Sequence, residues 1–254
     1  MFLTEHQRAV KGEFVRVRGA WSDVWNPLLE LSPEFLLEYL TLSAVPMRKG
    51  HLDAVTRELV YIALDSSATH LYEQGIRQHC RAALTLGATP AQVLEVIQLS
   101  SLVGYQSMEV GAPVLAAVLA GTDALATGEL TEQQQALKRR FIELHGQWKP
   151  ASQHILELDP EMFEAHLGLS AVPRQAKALE PAVQELIGVA LDVAVTNRYR
   201  SGLTTHIENA LRCGATPVQV LEVMELASAI GIHAAAVAVP ILIEELAARE
   251  AGGA

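Results

Sequence analysis

Cysteine is scarce in this chain, whose 254 residues include only Cys80 and Cys213. Two thiols cannot make the disulfide framework of a small secreted domain, and no C-x-x-C pair is present to hold zinc or cycle electrons. Positive charge is short as well. Nineteen Lys and Arg stand against 29 Asp and Glu, a formal net charge of −10, which argues against nucleic acid as a partner because each phosphate contact needs a cation. Long apolar runs are missing, since none reaches about 18 uninterrupted residues. The start, Met1 to Lys11, carries Glu5, His6 and Arg8 and no apolar stretch, unlike a secretory signal. The expectation is a cytoplasmic globular protein that binds neither nucleic acid nor membrane. Sustained strand alternation is also lacking, so the fold should be all-α.

What is present is present twice. A shift of 127 residues lays Phe14–Leu119 over Phe141–Leu246 without a gap, with roughly forty per cent of positions identical, which marks a duplicated and fused unit. Leu42–Pro46 returns as Leu169–Pro173, and Gly87–Val96 as Gly214–Val223. Two tandem helical repeats are expected, over residues 14–120 and 141–248, joined by a solvated linker around 121–135 and followed by a frayed end at 251–254. The two cysteines are not equivalent, because Cys80 falls on Ile207 and Cys213 on Leu86.

Helix boundaries are written into each repeat. Ser32-Pro33-Glu34 and Asp159-Pro160-Glu161 place an N-cap oxygen, a first-turn proline and an acid near the positive helix end; helices should follow over 33–42 and 160–169. Thr89 with Gln92 and Thr216 with Gln219 form capping boxes, each after a C-terminal glycine, Gly87 or Gly214. Between these landmarks the pattern predicts helices over 54–65 and 68–86, and over 181–192 and 196–213. Gly104 and Gly231 should break the run after each Thr-capped helix, ahead of a last apolar helix carrying Pro113 or Pro240.

Chemistry is expected where both copies interrupt these apolar helices with polar residues. Glu58 pairs with Glu185, Asp65 with Asp192, and the stripe Tyr72, Gly75, His79 with Tyr199, Gly202, His206. Offsets of four and seven residues return to one helix face, so phenol, gap and imidazole should align. A glycine inside a helix costs roughly 1 kcal/mol relative to alanine and suggests close approach of another group. The structural alternatives are a histidine satisfied by a backbone carbonyl, and an Asp65 that caps the following helix. His70 and His79 lie nine residues apart, on opposite faces of a single helix, and no H-x-x-x-H pair occurs, so no metal is expected. The copies differ around the stripe. His70 faces Asn197 in the alignment and Gln106 faces His233, while Arg198 and Arg200 make the second copy more cationic. His70, Arg198 and His233 are therefore candidate substrate-binding residues.

The run Arg57–Val60, the Tyr72–His79 stripe, Gly87-Ala88-Thr89 and the helix of Glu95 resemble the carboxymuconolactone decarboxylase and alkylhydroperoxidase-D family. The resemblance covers both repeats, mainly 52–119 and 179–246. It implies an all-helical domain whose pocket is often completed by another copy, and for a fused duplicate a homotrimer. The peroxidase branch of that family uses Glu, C-x-x-C and His. Here Glu58 and His79 match, but the cysteine positions hold Tyr72 and Gly75, and in the second copy Tyr199 and Gly202. A thiol-dependent hydroperoxidase is thereby disfavoured. The resemblance to the decarboxylase branch implies a cofactor-independent lyase acting on a small carboxylated lactone or oxoacid. Catalytic roles then fall on Glu58, Tyr72, His79, Glu185, Tyr199 and His206, with no metal or organic cofactor. The alternative from another class is a non-catalytic small-molecule-binding or assembly protein.

Overall fold

A computed structural model describes residues 3–120 and 129–252. Most of the expected linker, 121–128, and the last two residues of the expected frayed end lie outside the described residues. Fourteen α-helices and no strands form the described chain, seven helices in each repeat. The first seven are α1 (Glu5–Arg18), α2 (Asn26–Leu31), α3 (Pro33–Lys49), α4 (Ala54–Ser66), α5 (Glu73–Thr85), α6 (Pro90–Ser101) and α7 (Gln106–Leu119). Their counterparts are α8 (Glu132–His145), α9 (Pro150–Leu158), α10 (Pro160–Ala176), α11 (Pro181–Val193), α12 (Arg200–Arg212), α13 (Pro217–Ala229) and α14 (His233–Gly252).

Local chemistry explains most boundaries. Thr89 and Thr216 make both halves of their capping boxes, and Gly87 and Gly214 take the left-handed conformation at φ 101° and 97°, which glycine adopts without steric cost. Asp159 caps α10 through the Met162 amide, whereas the Ser32 side chain caps nothing. Both of these helices overrun the expected ends, and Pro46 and Pro173 sit inside them. Short 3₁₀ turns at Leu102–Tyr105 and Ile230–Ile232 carry the breaks at Gly104 and Gly231.

Two expected starts, at 68 and 196, come too early, by five and four residues. α5 begins at Glu73 and α12 at Arg200, because Leu71 (φ 49°) and Arg198 (φ 53°) turn left-handed just before them. The turn is closed by the Tyr72 amide donating to the Asp65 carbonyl at 2.9 Å, and by Tyr199 to Asp192 at 2.8 Å. His70 therefore stands on a turn, not on the helix of His79.

The core is built around α4, α6, α11 and α13. Leu59, Val60, Ile62, Ala63 and Leu64 of α4 are all buried, as are Leu186, Ile187, Val189, Ala190 and Leu191 of α11. Such nearly continuous apolar runs must lie in the interior, and α4 packs on α11. Thr69 and Thr196, equivalent residues, join their hydroxyls at 3.0 Å. Two buried acids tie the repeats together reciprocally. Glu95 accepts from the Ala178 and Leu179 amides and from Gln184, and Glu222 accepts from the His51 and Leu52 amides.

Each repeat also lends its last helix to the other. Ile232, Ala235 and Val239 complete the cluster of Phe14, Trp25 and Leu36, while Tyr105, Met108 and Ala112 complete that of Phe141, Ile155 and Phe163. By length and composition alone, the helical stretches Pro90–Leu119 and Pro217–Gly252 are long and apolar enough to span a membrane, which counting uninterrupted apolar residues does not show. Their exposed apolar positions recur in register: Val110 with Val237, Val114 with Ile241, and Leu115 with Leu242.

Candidate functional site

α11 sets Glu185, Gly188 and Asp192 on one face, since offsets of three and seven residues bring side chains round to the same stripe. Across from them α12 carries His206. Its Nδ1 meets Glu185 Oε2 at 2.7 Å and its Nε2 lies 3.8 Å from Asp192 Oδ2, so the ring stands between two carboxylates. Arg174 donates to the other oxygen of Glu185 at 2.8 Å. Burial would raise the Glu185 carboxyl, but the His206 hydrogen bond and the His206 and Arg174 charges outweigh it and hold the group at about 2. Asp192 goes the other way. Burial raises it to about 6, against the opposing pull of His206, the Gln106 hydrogen bond and Lys149.

Arg174, Asp192 and His206 line a cavity of about 90 Å³ walled by both repeats. The first repeat supplies Tyr105, Gln106 and Glu109; the second supplies Lys149, His166, Arg174 and Tyr199. Gln106 donates to Asp192 Oδ1 at 2.6 Å and Lys149 pairs with Glu109 at 3.2 Å. His166 stacks on Tyr105 at 3.4 Å, and burial with the nearby Lys149 charge lowers its imidazole to about 4. Among the described residues, four polar atoms around the cavity have no hydrogen-bond partner: Asp192 Oδ2, Gln106 Oε1 and the hydroxyls of Tyr105 and Tyr199. Buried polar groups rarely stay unpaired, so this lining is complementary to a polar ligand.

The first-repeat constellation keeps the frame but fills it differently. His79 Nδ1 meets Glu58 Oε2 at 2.7 Å and Nε2 lies 3.9 Å from Asp65 Oδ2. Tyr61, which stands where the second repeat has Gly188, stacks on His79 with centroids 4.5 Å apart. At Gly188 a Cβ would sit 2.5 Å from His206 Nδ1, so its absence lets the second imidazole lie against the helix. Met47 replaces Arg174.

The suspicion of close approach at the stripe glycines holds: a Cβ on Gly75 would meet Asp65 Oδ2 at 2.0 Å, and one on Gly202 would meet Asp192 Oδ2 at 2.1 Å. Tyr72 and Tyr199 precede their helices as N-caps, so they reach the site from a turn rather than along a helical stripe. Asp65 does not cap the next helix; it is fully buried within α4. Arg198 is exposed at the left-handed turn position and is not among the cavity residues. His233 belongs to the first site, against His70 and Tyr72, because α14 crosses to the other repeat. Arg174, Lys149, His166, Gln106 and Glu109 escaped sequence reasoning. They come from segments that carry no repeated polar motif, Lys149 from the turn before α9, and their convergence is tertiary.

A family model for the carboxymuconolactone decarboxylase family matches residues 33–117. A crystal structure from Burkholderia xenovorans LB400, provisionally described as a gamma-carboxymuconolactone decarboxylase subunit, is 39% identical over 96% of this chain and 98% of that one, with a TM-score of 0.89. The chain belongs to the carboxymuconolactone decarboxylase family. No curated protein matches it. Within this family frame the thiols stand apart from the cavity, since Cys80 and Cys213 are free and neither lines it; burial moreover pushes the Cys80 thiol up, away from the thiolate.

Proposed function

We propose that the second-repeat cavity decarboxylates a small carboxylated lactone or oxoacid without a cofactor. The observation that carries this is the largely buried His206–Glu185–Arg174 arrangement beside unpartnered polar atoms. Breaking the bond to the carboxylate carbon releases CO2 and leaves its electron pair in the ring as an enolate. That charge needs fixed donors in a water-poor site. Lys149 and the Tyr199 hydroxyl are placed to hold the oxygens. His206, its Nδ1–H committed to the ionised Glu185, delivers a proton from Nε2 to carbon in its protonated form. Glu185 and Arg174 are positioning residues that fix the ring. A cavity of about 90 Å³ suits a small ligand.

Family resemblance and the register of exposed apolar residues on α7 and α14 support a homotrimer, with those faces covered between chains. Turnover of carboxymuconolactone and related lactones tests the activity. His206→Ala should lose on the order of 100-fold or more in kcat, while His79→Ala should retain most of it. Full turnover by His206→Ala would overturn the assignment. Saturable ligand binding without turnover in the unmodified protein would favour a non-catalytic binding protein.

A further inference from the structure

We propose that the first-repeat site binds a divalent transition metal, zinc by the chemistry of its donors, through Asp65, His70 and His233. The three ligand atoms converge from separate elements: α4, the turn before α5, and the start of α14. His70 Nε2 lies 2.9 Å from His233 Nδ1, and Asp65 Oδ1 lies 3.4 Å from His233 Nδ1 and 3.8 Å from His70 Nε2. Tetrahedral zinc with bonds of about 2.0–2.1 Å needs donor atoms roughly 3.3–3.4 Å apart. The observed triangle already averages near that spacing, so small side-chain rotations admit the ion. Two imidazoles and one carboxylate suit zinc among the common divalent ions, and leave a coordination position for water or a ligand.

The second observation is Asp65 itself. It is fully buried, and among the described residues neither of its carboxylate oxygens has a hydrogen-bond partner. Burying a carboxylate is costly unless it is paired or bound to a metal. In the second repeat the equivalent Asp192 receives Gln106 Nε2 at 2.6 Å, and Asn197 turns instead to the Leu191 carbonyl. Both histidines are thus replaced together in the copy where the aspartate has an amide partner. Where the aspartate has none, both histidines face it. The expectation of no metal rested on His70 and His79 sharing one helix; His70 lies on a turn, and its partner His233 comes from the other repeat.

The test uses the full chain, stripped by chelator and titrated with zinc chloride alone. Binding is followed by calorimetry, and the metal retained after desalting by elemental analysis. About one zinc per chain is expected, and cobalt(II) in its place should give the visible d–d bands of a low-coordinate nitrogen and oxygen site. The double variant His70→Asn/His233→Gln carries the second repeat's own residues and so should fold. It should weaken binding by on the order of 100-fold or more. His206→Asn, in the other site, should leave zinc binding unchanged. Absence of stoichiometric zinc in the unmodified chain, or its retention in a folded double variant, overturns the proposal. Neither result depends on turnover, so failure here is distinguishable from failure of the decarboxylase reading.

Discussion

Gly202→Ala isolates the reason for the stripe glycine. In an ordinary helix interior the change is favourable by about 1 kcal/mol. At Gly202 the new Cβ would stand 2.1 Å from Asp192 Oδ2 and 2.6 Å from Tyr199 Cδ1, where van der Waals contact begins near 3.4 Å, a radial deficit of about 1 Å or more. Asp192 cannot retreat, since it is buried mid-core on α11 and tied to Gln106 at 2.6 Å. Overpacking costs about 1–3 kcal/mol, and a lost hydrogen bond to a charged group about 1.5–3 kcal/mol. After the helix gain, a net loss of about 2–4 kcal/mol remains. A chain of this size shifts its melting temperature by about 2–4 °C per kcal/mol, giving a fall of roughly 5–15 °C by differential scanning calorimetry. Gly168→Ala is the control, because a Cβ there meets nothing within 4 Å and should raise the melting temperature slightly. If Gly202→Ala melted at or above the unmodified protein, as the control should, the close-approach argument would be refuted.

Asp192, facing His206, Lys149, Glu109 and Tyr199, has its carboxyl raised to about 6 from 3.8. The folded state thus holds its proton more tightly than the unfolded chain, and stability falls as pH rises from about 4 to 6. The shift of about two pH units corresponds to about 3 kcal/mol; Asp192→Asn should flatten that part of a melting-temperature profile, and an unchanged slope would contradict it. Glu185, held at about 2, contributes the opposite way, with stability present above pH 4.5 and lost as pH falls towards 2; Glu185→Gln should remove that acid-side loss. Glu95→Gln replaces an acceptor facing three donors with an amide that places a hydrogen against one of them. A loss of about 1–3 kcal/mol is expected by urea titration, and an unchanged midpoint would show that Glu95 does not tie the repeats. Val114→Glu with Ile241→Glu should convert the proposed trimer to single chains by light scattering; a monomeric unmodified protein would sink the assembly.

Much of this architecture was legible because it depends on short-range chemistry. A threonine followed three residues later by a glutamine fixes a helix start locally, and Thr89 and Thr216 behave as that rule requires. The positions of Glu58, His79, Glu185 and His206 were legible for another reason, since polar residues repeated in apolar helices stand out; that each Glu meets its His at 2.7 Å is known only from the fold. Asp65 was misread because a local rule, N-capping, was applied where a left-handed Leu71 turns the chain instead. That conformation is uncommon for a residue with a β-carbon, and nothing in its side chain announces it. Lys149, Arg174 and His166 reach the cavity from segments distant in sequence. Periodicity says which residues share a face, but not which foreign helix will meet that face.

Exchange of the last helices explains how two unlike sites arise in one chain. Position 106 serves the second site and position 233 the first, so each site draws one polar residue from the opposite repeat. In a symmetric pair of identical single-repeat chains, a histidine at both positions would appear in both sites together. Fusion removes that constraint. His70 and His233 lie in different repeats yet meet at one aspartate, while Gln106 alone reaches the other and Asn197 turns away to the Leu191 carbonyl. Gly188 for Tyr61 and Arg174 for Met47 then distinguish the second site further, placing its imidazole against bare helix backbone and its glutamate against a cation. Divergence of the two sites within the duplicate therefore requires no change of fold, since four aligned substitutions already give them different linings.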